Sequence, residues 1–561
     1  MVAVPAWLAV ALGFLWACST PQPAPAAPVG REPSAAALAE RVAAARARSR
    51  ALPPTASEAE LDALLTLQLG DPARFAADPA FRARVLELLP RALDPSAAPE
   101  VRARLLAKLN RIPGFDFAAS ERVETAWGAA PRASAAREDR YAPGLRFADE
   151  TAGRLVASLY SFPSDLIERP EAEALLAAVR ALDPGRTLLA LTDLPLAGGP
   201  RLAVLPSYGR PYSPWPRDPL SLVRAAGGEV VVLTRPNRQP TREEDLWMGR
   251  ELVQNLPPEV DGGWGHVRWT AAPVPFHNGQ VLLAGGSAWI SLHAVELRAL
   301  ERLGLERVPV EELGTAAGVD RYMAAVAAAA AELGALYGRP VRFVHPLPQE
   351  LAPAGRPALL RTLGGGAGYD LDSLLTLLSA PGGGLRALVA DFALGRAVIA
   401  RTTAAEWEAF RAAYGLAPEA DRLAAALAPA QESARAAALQ GFLDAVAAHL
   451  ARQGIEVARL PLLLVPVPLL ADPRGIGHPD FRITWNNVVV EVRDGRPRAE
   501  GFAALLPAGD RLAEEAFARA GTRLDLLPPL VRSVILTGGY RCASNHLREG
   551  TAGERRSAGV D

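Results

Sequence analysis

Cys542 is the residue on which chemistry in this chain would turn. The 561 residues include two cysteines, Cys18 and Cys542. If Cys18, which closes an apolar N-terminal segment, is lipidated, Cys542 is the only thiol of the mature chain and an intramolecular disulfide is excluded. Exported proteins usually pair their thiols or lack them. A leftover thiol is then either reactive or a small buried hydrophobe, and the count alone leaves both open. Polar groups beside turns recur along the same half of the chain. Pro214-Trp215-Pro216-Arg217-Asp218-Pro219 reads by itself as a proline-rich turn closed by an acid. Phe276-His277-Asn278-Gly279-Gln280-Val281-Leu282 is a tight turn into a strand. Gly368-Tyr369-Asp370-Leu371-Asp372 sets two acids ahead of an apolar run, and Thr484-Trp485-Asn486-Asn487 and Gly538-Gly539-Tyr540-Arg541-Cys542-Ala543-Ser544-Asn545 follow. Carboxylates placed in pairs suit a guanidinium, which is planar and offers N–H groups that a carboxylate accepts two at a time.

Taken in order across residues 214–545, these segments resemble the guanidine-modifying enzymes of the pentein superfamily, the protein-arginine deiminases and agmatine deiminases. Trp215-Pro216-Arg217-Asp218 is similar to their Trp-x-(Arg/Gln)-Asp motif, whose acid binds the substrate guanidinium. The Phe276 segment is similar to Phe-x-Gly-Gly-Asn-Val-Leu. Residues 368–377 are similar to Gly-His-x-Asp followed by an apolar helix, with Asp372 on the motif's Asp as the second carboxylate. Gly538 to Asn545 is similar to Gly-x-x-His-Cys-Gly-Thr-Asn, with Cys542 on the nucleophile and Asn545 on the Asn. Asn487 falls on the Asn of a Ser-Tyr-x-Asn turn that contacts substrate in some relatives. Both family histidines are replaced. Asp370 stands at the first and Arg541 at the second.

The resemblance implies a pentein, an α/β propeller of five ββαβ-type modules, over about Leu145 to Arg548. It implies Cys542 as nucleophile, with Asp218, Asp372, Trp215, Asn487 and Asn545 around the substrate. No cofactor and no metal are implied, and the seven histidines show no ligand spacing. Proton transfer needs a group titrating near neutrality. Asp370 is the positional candidate, and His266, His277 and His293 qualify only where the fold brings one into reach. Arg541 cannot shuttle protons. As an adjacent cation it would lower the thiol pKa, unless strand alternation turns it away.

The rest of the chain must position these groups. Ala6 to Trp16 is apolar, yet eleven residues span about 16 Å as a helix against roughly 30 Å of hydrocarbon. That is the core of a signal peptide. Leu15-Trp16-Ala17-Cys18 resembles a bacterial lipobox, which implies lipidation at Cys18 and a signal spanning 1–18. Ser19 next to it points to the outer membrane or another periplasm-facing site. Residues 19–33 are rich in Pro, Ala, Ser and Thr and cannot bury enough apolar surface to fold, so they suit a tether. Apolar residues at helical spacing predict a small all-α domain over 34–111, and 112–143 reads as a linker. From 144 to 561, short apolar strands alternate with helices, which predicts an α/β class. Strands are expected at Thr187–Thr192, Arg201–Leu205, Glu229–Thr234, Val281–Leu283, Val341–Val344, Leu385–Phe392, Val457–Val467, Val488–Val492 and Val534–Thr537. Helices are expected at Arg169–Leu182, Asp320–Tyr337 and Ala424–Gln453. With 60 basic and 61 acidic residues the net charge is −1, so no overall field draws the chain to nucleic acid. Gly364 to Gly368 lacks the Lys and Ser/Thr of a phosphate loop.

Three functions are compatible with these residues. The first is an exported lipoprotein whose deiminase-like domain hydrolyses peptidyl-arginine or a related guanidine. The second is a deiminase of agmatine or another small guanidine. The third is a catalytically lapsed pentein that binds an arginine-bearing ligand. The partner is in each case a guanidine, free or on a peptide or protein, and the membrane is reached through the lipid.

Overall fold

The structure is a computed structural model. It describes residues 141 and 144–549, apart from 165, 208–211, 226, 236–244, 246, 257–266, 306–314, 352–368, 381–382, 472, 474–475 and 477. The signal segment with Cys18, the tether, the helical domain, the linker up to 140 and His266 lie outside the described residues.

Five small sheets make up the described chain. The first contains β1 (Leu155–Phe162), the helix α1 (Arg169–Leu182), β2 (Thr187–Thr192) and β3 (Leu202–Leu205). The second contains β4 (Leu220–Arg224), β5 (Val230–Thr234), α2 (Trp247–Asn255) and β6 (Val267–Ala271). The third contains β7 (Val281–Ala284), β8 (Ser287–Ile290), α3 (His293–Leu303), α4 (Ala316–Tyr337) and β9 (Val341–Phe343). The fourth contains β10 (Leu375–Ser379), β11 (Leu385–Asp391), four helices α5 to α8 (Phe392–Arg401, Ala404–Tyr414, Ala420–Gln431, Ala434–Arg452), β12 (Glu456–Pro466) and β13 (Asp480–Thr484). The fifth contains β14 (Val489–Arg493), β15 (Arg496–Phe502), α9 (Pro507–Arg519) and β16 (Arg523–Leu527). After α10 (Val531–Ile535), the strand β17 (Ser544–Arg548) returns to the first sheet and pairs antiparallel with β1.

The same order runs through all five. An antiparallel pair comes first: β17 with β1, β4 with β5, β7 with β8, β10 with β11 and β14 with β15. A parallel partner then follows through a helical crossover: β2, β6, β9, β12 and β16. Parallel neighbours need such a crossover, because a tight turn can only reverse the chain. β2 and β5 are apolar on both faces and wholly buried, as strands packed on two sides must be. The helices carry the residues that start and stop them. Glu168 and Glu171 form a capping box on α1, with Pro170 in its first turn. Thr315 accepts from Gly318 N at the start of α4, and Gly338 ends that helix at φ 64°.

Three sequence expectations are corrected. Val534–Thr537 is not a strand. It lies across the end of α10 and a turn with Thr537 at φ 73°, and an apolar run of that length has no decisive period. Asp372 sits inside a 3₁₀ turn (Leu371–Ser373), and the apolar residues after it form β10, where the resemblance implies a helix. Thr376 stands mid-run, and the run is short enough to pair with β11 along its length. The stretch 424–453 is two helices, not one. Ser433 caps the second by accepting from Ala436 N, and Pro429 lies in the last turn of the first. Among the described residues no helix is long and apolar enough to cross a membrane.

Candidate active site

Each sheet delivers one polar side chain from the turn entering its first strand. Asp218 precedes β4, Asn278 precedes β7, Asp372 precedes β10, Asn487 precedes β14 and Cys542 precedes β17. All five are buried. Their turns converge, and the polar contacts run between sheets.

Cys542 Sγ lies 3.4 Å from Asp372 Oδ2. Asn487 clamps the same residue twice: its Nδ2 donates to Sγ at 3.1 Å, and its Oδ1 accepts from the Cys542 backbone N–H at 3.1 Å. Asn487 thus holds the thiol, where the resemblance implied a substrate contact. Two glycines make this approach possible. A Cβ on Gly539 would fall 2.5 Å from Asn487 Cβ, and a Cβ on Gly538 would overlap Trp215 Nε1. Trp215 Nε1 donates to Ser533 Oγ at 3.0 Å, so the Trp215 turn is locked over the turn that carries the thiol. Asn545 Nδ2 donates to Leu220 O at 2.6 Å and Pro216 O at 3.3 Å. It stitches β17 to the Asp218 turn. Asn278 Nδ2 does the same from the third sheet, donating to Arg217 O, Leu220 O and Ser221 Oγ.

Arg541 turns inward, not away. Its Nη1 donates to Asp372 Oδ2 at 2.7 Å and to Asn278 O at 3.0 Å, and its Nη2 donates to Glu150 Oε2 and Val281 O at 2.8 Å each. The net shift of the thiol runs opposite to what an adjacent cation alone would give. Burial first, and then the charges of Asp372, Asp218 and Asp370, push the Cys542 thiol well above its usual range, with the Asn487 hydrogen bond opposing. The charge of Arg541 is already committed to Asp372 and Glu150. Burial likewise pushes the Asp372 carboxyl up, against the pull of Arg541. Asp372 Oδ1 has no hydrogen-bond partner among the described residues. It faces the α-carbon of Gly279, where a Cβ would stand 3.6 Å from it.

Of the histidines weighed from sequence, the fold brings His277 to this centre. Its Nε2 lies 3.7 Å from Asp218 Oδ2, and its ring flanks Gly279 on the side facing Asp372 Oδ1. His293 pairs with Glu296 at 2.9 Å. Tyr369, one of two large hydrophobic side chains exposed among the described residues, sits within 6.2 Å of both imidazoles, centroid to centroid. Asp370, the positional candidate for proton transfer, is half-buried at φ 52°. Its carbonyl accepts from Ser373 N and Oγ. Glu150, which bridges Arg217 and Arg541, was not visible from sequence. It lies ahead of every recognisable motif.

Five small sheets with one strand order, and turns that meet at a buried thiol and carboxylates, define a mixed α/β fold. Among solved structures the chain is similar to the agmatine deiminase of Enterococcus faecalis, with a TM-score of 0.42 and 10% identity over 74% of this chain and 100% of that one. It is also similar to the C. jejuni agmatine deiminase, with a TM-score of 0.40 and 12% identity over 74% and 99% of the two chains. No family model matches the sequence, and no curated protein is found similar to it. What the site can do follows from its own side chains.

Proposed function

We propose that the chain is a thiol-dependent hydrolase of guanidinium groups, a deiminase-like protein acting on peptidyl-arginine or a related guanidine. The observation that carries this reading is the convergence of Cys542 Sγ on Asp372 Oδ2 at 3.4 Å, with His277 beside Asp218. A guanidinium between Asp218 and Asp372 brings its carbon to the sulfur. Its positive charge offsets the carboxylates that keep the thiol protonated, so thiolate forms when substrate arrives. The S–H proton passes through His277 to the departing nitrogen as the S–C bond forms. The C–N bond then breaks and ammonia leaves. Water adds to the resulting thiouronium carbon, the C–S bond breaks, the sulfur regains a proton and a ureido product departs. General acid–base transfer of this kind contributes about 10²- to 10⁴-fold. The burial of Cys542 and Asp372 favours a slender unbranched stem such as that of an arginine side chain or agmatine.

One contact favours a second reading. Arg541 already occupies Asp372 Oδ2 with a guanidinium of the chain's own, which suits a lapsed centre that binds an arginine-bearing ligand without turnover. Purified protein incubated with arginyl peptides, free arginine and agmatine separates the two. Ammonia above the level of Cys542→Ala supports the hydrolase. No product on any of them, with guanidine binding that Asp218→Ala abolishes and Cys542→Ala preserves, supports the binder.

The five sheets are proposed to stand as blades around a common axis, in a pentein propeller. The pairing of β17 with β1 and the shared position of the five polar turns support this. The lipobox resemblance supports a lipid at Cys18 and a periplasm-facing membrane location for the protein. Cys18→Ala should then release it from the membrane fraction.

A further inference from the structure

The irregular segment that leads into β1 touches all five sheets. Arg146 N donates to Arg224 O of β4 at 2.7 Å, and Glu150 N donates to Leu283 O of β7 at 2.7 Å. Thr151 Oγ1 meets Ser379 Oγ of β10 at 2.7 Å. Gly153 O accepts from Val492 N of β14 at 3.0 Å, and Arg154 O accepts from Glu549 N, just past β17, at 2.9 Å. Each contact falls within one residue of the end of its strand. The polar turns of the centre enter the same five strands at the opposite end. One side chain of the segment bridges the two ends. Glu150 Oε1 accepts from Arg217 Nη2, and its Oε2 accepts from Arg541 Nη2 at 2.8 Å. Both arginines adjoin the centre. Arg217 precedes Asp218, and Arg541 precedes Cys542 and donates to Asp372 Oδ2 at 2.7 Å. Their side chains are 10% and 4% exposed, so water does not readily take the place of Glu150. A carboxylate that accepts from two guanidiniums fixes their directions as well as offsetting their charge.

We propose that Glu150 is a positioning residue of the reactive centre, holding the Asp218 turn through Arg217 and the Asp372 carboxylate through Arg541. The inference rests on the reading of Cys542, Asp218 and Asp372 as the groups that meet a guanidine. Glu150 acts only through the two arginines. The segment from Arg146 to Arg154 thereby takes a part in function, because it carries Glu150 to the back of the centre.

Loss of stability cannot decide the matter, since breaking the fork leaves two buried guanidiniums short of charge whatever its role. Binding can. Agmatine and N-acetylargininamide are titrated into the full chain carrying Cys542→Ala, so that no turnover intervenes. Arg217→Met removes a cation beside Asp218. Charge alone would then tighten the binding of a guanidinium, whereas loss of the brace is expected to weaken it about tenfold. Glu150→Asp keeps the charge but is one methylene shorter, so one arm of the fork opens, and it is expected to weaken binding likewise. Unchanged or tighter binding in both variants, shown to be folded by circular dichroism, would overturn the proposal. The thiol supplies a readout that needs no guanidine. In the chain with Cys542 intact, Glu150→Gln releases Arg541 wholly to Asp372, whose charge is among those that hold the thiol up. Alkylation by iodoacetamide is expected to begin at lower pH, and most of that shift is expected to vanish in an Asp372→Asn background. An equal shift in both backgrounds, or no shift in either, would overturn the proposal. A parent that binds neither guanidine, with the shift still lost in Asp372→Asn, would refute the guanidine reading and support the positioning of Asp372 by Glu150. Should Glu150→Gln fail to fold, Arg217→Met and Glu150→Asp decide.

Discussion

Cys542 is buried, yet its neighbours are not those of an inert hydrophobe. It has an amide clamp and a carboxylate within hydrogen-bonding distance. Because burial and three carboxylates hold its thiol up, alkylation by iodoacetamide should be slow at neutral pH and accelerate only in the alkaline range. Asp372→Asn should move that rise to lower pH, and a saturating guanidine ligand should do the same in the unmodified protein. A profile indifferent to both would show that the carboxylates do not govern the sulfur. His277→Ala should lower turnover by about 10²- to 10⁴-fold with a smaller effect on KM. Retained turnover would return the proton-transfer role to Asp370. The residue types that meet here were legible in the sequence. Cys542, Asp218 and Asp372 could be set against motifs one by one. The direction of Arg541 could not. Its orientation depends on carbonyls of Asn278 and Val281 in another sheet, and no local pattern encodes them.

The elements that hold the site are turns, each entering an edge strand. Gly538 and Gly539 show how tightly two of them meet. Gly539→Ala places a methyl group against Asn487. It should cost about 1–3 kcal/mol in stability by overpacking, and it should also loosen the clamp on Cys542. Thermal unfolding and the alkylation profile report the two effects separately. An unchanged midpoint would mean that the turns yield. The sequence reading found β2, β5, β7, β11 and β14 within a residue or so, the first three because each is built on a continuous apolar run. It left out β4, β10 and β17, which carry Asp218, Asp372 and Cys542 into place. Their apolar residues are interrupted by Ser221, Thr376 and His546, which the centre uses or buries. A polar residue standing two or three positions ahead of a short strand in every sheet was the available signal, and it becomes visible only once the sheets are counted.

Across the whole molecule, a buried ion network ties the first sheet to the fifth. Arg186 Nη2 meets Glu500 Oε1 at 2.5 Å and Glu491 Oε1 at 3.3 Å, Asp183 lies beside them, and Tyr540 OH donates to Glu500 Oε2 at 2.9 Å. Tyr540 stands two residues before Cys542, so the network also seats the thiol turn. Against burial, Arg186 and the Tyr540 hydroxyl hold the Glu500 carboxyl below its usual range. Its contribution to stability is therefore present above the carboxylate range of the unfolded chain and is lost as pH falls through the depressed folded value. Glu500→Gln should cost about 3–5 kcal/mol near neutrality by leaving Arg186 short of charge, and should flatten the acid limb of the stability profile. Equal stability in urea at neutral pH would show the network to be dispensable. None of it was read from sequence. Arg186, Glu491 and Glu500 look like ordinary surface charges until distant strands bring them together.

The pairing of β17 with β1 has a consequence for how the molecule comes into being. The Ser158–His546 contact spans 388 residues of chain, and closing a loop of that length costs about 5 kcal/mol of chain entropy. Contacts so remote in sequence form late. The four sheets built from consecutive strands can gather first, and the seam between β1 and β17 is sewn last. Cys542 lies on that seam. During refolding, protection of the thiol from alkylation should lag behind the recovery of secondary structure, so the reactive centre is absent from every partly folded form.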